Sequence, residues 1–335
     1  MAAGNIGIAV NPASGKDVRR LVARASVFDN QEKCAIVRRS IVGALASGAN
    51  RFVYVPDSHG IAAAALGEFG DAVCATAVDA PCTGSMLDTI RGAAALAEAR
   101  CAAVLTLGGD GTNRAVVLGW RSAPLLPIST GTNNVFPQLV EATIAGAAAG
   151  LVANGVVALS SVAMQAKAIT VQIDGESDDV ALIDAVLTAE RFVGARALLE
   201  PELLRLAVLT RADPAAVGMT AIGGLIAPLG ATANQGLLLT LGQGAEGVHA
   251  PIAPGLYATV RVAGSRTIEF DEVVSIEGPG VLAFDGERER VLKPGQHAHL
   301  SIRRDGPWVI DAGATLACAA QKGAFRVHVG EPHAH

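Results

Sequence analysis

Val104-Leu105-Thr106-Leu107-Gly108-Gly109-Asp110-Gly111-Thr112-Asn113 decides the reading of this chain. A short apolar run predicts a buried strand, three glycines interrupt it, and the stretch from Asn113 to Trp120 has the composition of a helix. A strand that passes through glycines into a helix offers backbone amides and the positive end of a helix dipole to an anion. Gly108, Gly109 and Gly111 are expected to take positive φ and admit a phosphate without Cβ interference. Asp110 is the anion in this cradle. A carboxylate there repels phosphate unless it holds Mg²⁺ or accepts a proton from an attacking hydroxyl, two tasks of phosphoryl transfer.

Upstream and downstream, the same alternation recurs. Candidate strands are Ile6 to Val10, Arg51 to Val55, Ala72 to Val78, Ala102 to Leu107 and Leu125 to Ser129. Candidate helices are Gln31 to Ser47, His59 to Phe69, Ser85 to Arg100, Asn113 to Trp120 and Val135 to Ala153. Strand and helix in turn predict an α/β domain with a mostly parallel sheet covered on both faces. Ligands of such sheets bind outside the carboxyl ends of the strands. The loops at Asn11, Asp57, Thr83, Gly108 and Gly131 are therefore expected on one edge.

From about Ala163 the pattern becomes alternating runs broken by Gly and Pro: Ala168 to Ile173, Leu237 to Thr240, Tyr257 to Val262 and Val273 to Ile276. These predict an antiparallel all-β domain. The expected division is 1–155 for the nucleotide-phosphate domain, 156–313 for a β-rich acceptor domain, and 314–335 for a helix and tail returning to the first. At 335 residues, two cores and a cleft are the default.

Composition narrows the function classes. A net charge of -5 without a basic block argues against nucleic acid as a partner. Five scattered cysteines without a CxxC pair indicate neither a disulfide framework nor a zinc knuckle, and imply a reducing cytosol. No run approaches about 18 uninterrupted apolar residues, so no membrane partner and a cytoplasmic location are expected. With 38 glycines and aromatics at only 4%, closely packed helices are expected.

Two further loops carry anion-binding chemistry. Asn11-Pro12-Ala13-Ser14-Gly15-Lys16 follows the first strand; it lacks the GxxxxGK spacing, and its Asn and Ser side chains serve either a phosphate or an ordinary turn. Ser129-Thr130-Gly131-Thr132-Asn133-Asn134 follows the last strand and is expected to lead directly into a helix whose N-terminus binds anions.

The set NPxSGK, GGDGT and GTxN, in this order, resembles the superfamily of NAD kinases, diacylglycerol kinases and sphingosine kinases. The whole chain is most similar to its acetoin catabolism protein X group, often called ATP-NAD kinase-like. Ser129 to Pro137 and Phe192 to Leu198 support that resemblance. It implies ATP and Mg²⁺ as cofactors, bound in a cleft between the two domains. It assigns Gly108, Gly109, Gly111 and Thr112 to phosphate, Asn11 and Ser14 to the nucleotide's other side, and Asp110 to Mg²⁺ or the acceptor hydroxyl. Asn113, Gly131, Thr132 and Asn134 complete the nucleotide loops. Lipid kinases of the superfamily carry a late Asp-Gly-Glu, which makes Glu287 of Asp285-Gly286-Glu287 the candidate general base; an Asp-Gly hairpin turn is the other reading. Asp184, Asp285 and Glu190 are candidate acceptor contacts, and Arg191 and Arg196 are candidates to clamp an anion; solvated or paired polar groups at strand ends are the other reading. Val135 stands where the lipid kinases place an Asp, and Ala181 to Val186 lacks the Asn-Glu pair of NAD kinases.

Asp57-Ser58-His59 is read as a helix-capping loop, and His297 and His299 as solvated neighbours on one strand face. The expected function is ATP-dependent phosphoryl transfer to a hydroxyl of a small acceptor, with a possible link to acetoin catabolism, in a homodimer. The alternative is a non-catalytic nucleotide-binding sensor or accessory protein. A Rossmann oxidoreductase is disfavoured because GxGxxG does not follow the first strand.

Overall fold

The computed structural model describes residues 4–15, 29–131, 134–189, 200–286 and 288–326. In the first half, β1 (Asn5–Val10), α1 (Asn30–Ala46), β2 (Arg51–Tyr54), α2 (Ile61–Gly67), β3 (Cys74–Ala77), α3 (Met86–Glu98), β4 (Cys101–Gly108), α4 (Asp110–Gly119), β5 (Pro124–Ser129) and α5 (Ala142–Ala153) alternate as the sequence predicts. Then follow α6 (Leu159–Val162), β6 (Ala163–Gln165), β7 (Ala168–Ile173), β8 (Asp179–Ala181), β9 (Asp184–Thr188), β10 (Leu204–Leu209), α7 (Met219–Ile226), β11 (Gln235–Ala253) and β12 (Leu256–Glu269). The last elements are β13 (Val274–Glu277), β14 (Gly280–Phe284), β15 (Arg288–Leu292), β16 (His297–Arg303), β17 (Trp308–Ile310) and α8 (Ala312–Gln321).

The first sheet has the order β3-β2-β1-β4-β5-β17-β6 among the described residues. The pairs from β3 through β5 are parallel, as is β5 with β17, while β6 runs antiparallel. Strand alternation decides the two faces. Ile6, Ile8, Val10, Leu105 and Leu107 pack on the side of α1, α2, α5 and α8. Ala9, Val53, Val104 and Leu125 pack on the side of α3 and α4. The sheet is doubly wound, and the order reverses between β1 and β4, so their carboxyl ends open a crevice.

Helix boundaries follow their caps. The Asp29 carboxylate accepts the Glu32 amide at 2.7 Å, Ser85 and Asp88 form a capping box, and Asp311 accepts the Ala314 amide at 2.8 Å. Asp57 caps α2 by accepting the amides of Ile61 and Ala62, as read from sequence. One boundary differs. The helix expected from Val135 begins only at Ala142, capped by Glu141. Pro137 keeps Phe136 out of helical geometry, and the Ser129 amide instead bonds the Gln138 carbonyl at 2.8 Å.

The second half is an antiparallel sandwich. A sheet of order β12-β11-β10-β9-β14-β15 faces one of order β13-β16-β7-β8, with Ile169, Val171, Val208, Phe284 and Leu300 between them. α7 covers the outer face of the larger sheet through Met219 and Ile222. Arg114 of α4 ties the halves together. It is 1% exposed, bonds Asp179 and the Val180 carbonyl, and lies 5.4 Å from the Phe284 ring centroid. Among the described residues, no helix is long and apolar enough to cross a membrane.

Candidate active site at the β1/β4 crevice

Because β1 and β4 are neighbours, the loops that follow them meet. The Asn11 amide bonds the Leu107 carbonyl at 3.0 Å, continuing the ladder one residue past β1. Asn11 Nδ2 then donates to Thr112 Oγ1 at 2.8 Å, which leaves the hydroxyl proton of Thr112 for a ligand oxygen. The Ser14 and Thr130 hydroxyls lie 2.8 Å apart, joining the first and third loops. Gly15 has φ 78, a left-handed turn that suits glycine.

The GGDGT segment is the end of β4 and the first turn of α4. Gly108 closes the strand, Gly109 is the N-cap, and Asp110, Gly111 and Thr112 form the opening turn. The helix thus starts three residues earlier than the sequence reading placed it, so its unpaired amides belong to the motif itself. The expected positive φ is corrected here. Gly109 has φ -96, and neither Gly108 nor Gly111 is in the left-handed region. The glycine identity of Gly108 and Gly109 has a steric cause. A Cβ on Gly108 would stand 2.3 Å from Thr112 Oγ1, and one on Gly109 would stand 2.8 Å from Asn134 Oδ1. The missing side chains let Thr112 and the third loop close on this turn.

Asp110 is 9% exposed, and its carboxylate accepts the amides of Val135 at 3.1 Å and Phe136 at 2.7 Å. It therefore spans from the α4 N-terminus to the third loop. Asn113 turns inward, accepting from Thr106 Oγ1 at 2.7 Å and donating to the Gly109 carbonyl at 2.9 Å. Asn134 donates to Ser129 Oγ at 2.8 Å, whose hydroxyl bonds the Gly131 carbonyl at 2.9 Å. The third loop is thus held by its own side chains. The expectation that it leads straight into an anion-binding helix end is not met, because the helix starts at Ala142.

Across the crevice, Asp285 and Gly286 take φ 48 and 70 at the β14–β15 turn, as an Asp-Gly hairpin requires. The Asp285 carboxylate accepts the amides of Leu182, Ile183 and Asp184 at 2.8 to 3.2 Å. Burial pushes its carboxyl above the usual carboxylate range, against those amides and Arg114. Asp184 is 9% exposed, and its carbonyl accepts the Asp285 amide at 3.1 Å. Thr132, Glu190, Arg191, Arg196 and Glu287 lie outside the described residues.

Sequence reasoning missed two cations. Lys33 of α1 is 0% exposed and donates to the carbonyls of Asn11, Pro12 and Ser14 at 3.0, 2.8 and 2.6 Å, clamping the first loop. The available signal was a charge on an apolar stripe, since positions 33, 36, 37, 40, 41 and 44 share the buried face. Arg211, just past β10, places its guanidinium 5.8 Å from the Phe136 ring centroid.

A doubly wound domain with three joined loops at its switch point belongs to a kinase-like class: residues 6–156 match the family model described as ATP-NAD kinase N-terminal domain. Residues 167–305 match the acetoin catabolism protein X C-terminal domain. The chain is 35% identical over 331 residues to acetoin catabolism protein X of Cupriavidus necator, covering 94% of this chain and 92% of that one. It belongs to the acetoin catabolism protein X family. Solved structures similar to it include yeast NADH kinase complexed with NADH, at 12% identity, 98% and 90% coverage of this chain and that chain, and TM-score 0.49. A diacylglycerol kinase from Bacillus anthracis is similar at 12% identity, 92% and 97% coverage, and TM-score 0.45.

Proposed function

We propose that the protein is a magnesium-dependent phosphotransferase in which ATP lies across the β1/β4 crevice and a hydroxyl of a small acceptor attacks its terminal phosphate. The observation that carries this reading is the Asn11–Thr112 hydrogen bond of 2.8 Å, which joins the two strand-end loops where a doubly wound sheet binds ligands. Phosphoryl transfer depends mainly on positioning and charge neutralisation. The amides of the first turn of α4 and the Thr112 hydroxyl supply neutral donors.

Asp110 fits a metal-ligand role. Its carboxylate stands at the α4 N-terminus, beside the amides that would meet the phosphates, and is oriented by the Val135 and Phe136 amides. Mg²⁺ commonly takes one or two carboxylates together with nucleotide phosphates. When bound, Mg²⁺ supplies charge neutralisation on the phosphate oxygens. In the transfer, the acceptor oxygen forms the new P–O bond, the bond to ADP breaks, and the hydroxyl proton passes to Asp110 or Glu287. The family name directs the acceptor search to small hydroxy-ketones of acetoin catabolism. A homodimer belongs to the same reading and is checked by light scattering.

The test is incubation with ATP, Mg²⁺ and a panel of hydroxy compounds including acetoin and NAD, followed by mass spectrometry for a phosphorylated product. Product formation that is lost in Asp110→Asn supports the reading; full transfer by that variant overturns it. A second reading, nucleotide binding without transfer, is favoured by the commitment of the Asp110 carboxylate to two backbone amides. Calorimetric ATP or NAD binding with no product from any acceptor would establish it.

A further inference from the structure

Among the described residues, Arg211 is the cation of the crevice that makes no hydrogen bond through its guanidinium. Its backbone is fixed on both sides. The Thr210 amide bonds the Ile183 carbonyl at 2.9 Å, and the Thr210 hydroxyl bonds the Leu182 carbonyl at 2.7 Å. Ala212 exchanges two hydrogen bonds of 2.8 Å with Leu229. The side chain therefore leaves a rigid stem of the β domain and reaches the third loop of the α/β domain at Phe136.

Phe136 also donates its amide to Asp110, which puts the guanidinium beside the GGDGT motif. Burial pulls the Arg211 pKa down, while Asp110 first, then Asp285 and Asp213, hold it up. Nε is buried without a hydrogen-bond partner, and the guanidinium has no hydrogen bond among the described residues. Its neighbours differ. Lys33 is spent on loop carbonyls, Arg114 on Asp179 and Val180, and Lys167 on the carbonyls of Gly230 and Gln235. A buried guanidinium N–H without an acceptor is costly, and a ligand anion removes that cost.

We infer that Arg211 binds the terminal phosphate of the nucleotide and so distinguishes a triphosphate from a diphosphate. This rests on the nucleotide reading above and adds a contact from the β domain. The α4 N-terminus and Thr112 lie on the opposite domain and serve the phosphates that both nucleotides share.

The experiment is calorimetry on the full chain with Mg²⁺ and either AMP-PNP or ADP. Wild type is expected to prefer AMP-PNP by about 10- to 100-fold, the range of a charge-assisted contact. Arg211→Met should bring that ratio to about one with ADP affinity unchanged, and Arg211→Lys should restore part of it. In wild type, AMP-PNP but not ADP should protect Arg211 from phenylglyoxal, mapped by mass spectrometry; this readout stands even if a variant fails to fold. An undiminished AMP-PNP preference in Arg211→Met, or equal protection by both nucleotides, overturns the assignment alone. Failure of wild type to bind either nucleotide overturns the nucleotide reading as well.

Discussion

Phe136 gives its backbone amide to Asp110 Oδ1 at 2.7 Å, so the acidic residue of the GGDGT turn is also the tie that holds the third loop. Asp110→Asn should therefore have two effects. Transfer should fall by several orders of magnitude, because a charged group at the reacting phosphate is lost. Thermal unfolding should reveal a loss of about 1–3 kcal/mol, because an amide group now faces two backbone N–H donors. Unchanged stability would show that the tie is not formed in solution.

Lys33→Met tests the clamp on the first loop. Removing a buried ammonium that serves the carbonyls of Asn11, Pro12 and Ser14 leaves three acceptors short of a donor. The expected loss is about 3 kcal/mol in urea unfolding, with weaker ATP binding. ATP affinity equal to wild type would separate the clamp from the site.

Gly146→Ala tests the contact of α1 with α5. A Cβ at Gly146 would stand 1.8 Å from the Ser40 carbonyl oxygen, and one at Gly43 would stand 1.9 Å from that of Thr143. The helices must move apart, at a cost of about 3 kcal/mol or more. Gly67→Ala is the control, since nothing lies within 4 Å of its Cβ position, and it should be neutral or slightly stabilising. Similar urea midpoints for the two variants would contradict the packing.

Lys167 predicts a pH effect. It is 3% exposed, and burial, followed by Arg304 and Arg211, pulls its pKa from 10.5 to about 8. Between those values the unfolded chain holds the proton more firmly than the folded one, so stability should rise with pH from about 8 to 10.5. The size is on the order of 3 kcal/mol. The difference in unfolding free energy between wild type and Lys167→Met should carry this rise; a flat difference would refute it.

Thiol chemistry separates the cysteines. Cys101 is buried with its pKa pushed up to about 12, whereas Cys74 and Cys82 are exposed. An aromatic disulfide reagent at neutral pH should label Cys74 and Cys82 first and reach Cys101 only on unfolding. Early labelling of Cys101, found by peptide mapping, would count against its burial in β4.

The α/β half was legible because each strand is a short apolar run and each helix an alanine-rich stretch between polar clusters. The loop at Gly108 was legible as a glycine-rich turn from strand to helix, but not the reason for its glycines. Positive φ is a local property and is the usual explanation, whereas the contacts with Thr112 and Asn134 depend on side chains brought in by folding. Lys33 and Arg211 were missed for the same reason: their partners are 19 to 22 residues away in the first case, and across the domain junction in the second. The start of α5 was misplaced because helical composition extends back through Val135, although Pro137 and the Glu141 cap place it later. The Asp285 hairpin turn was one of two readings of Asp-Gly-Glu, and its grip on residues 182–184 could not be read from a dipeptide.

Strand β17 lies between β5 and β6, so Trp308 and Val309 pair with Pro124 and Leu125 while Ile310 pairs with Ala163. The sheet that carries the crevice loops is thus finished by residues made long after its other strands. During synthesis the edge of β5 must wait, unpaired, until nearly the whole β sandwich has left the ribosome. A fragment stopping near residue 156 would carry all three loops at Asn11, Gly108 and Gly131 and still expose that edge to other chains. The chain therefore folds as an interlocked pair of halves, and the motif-bearing half is not a portable module.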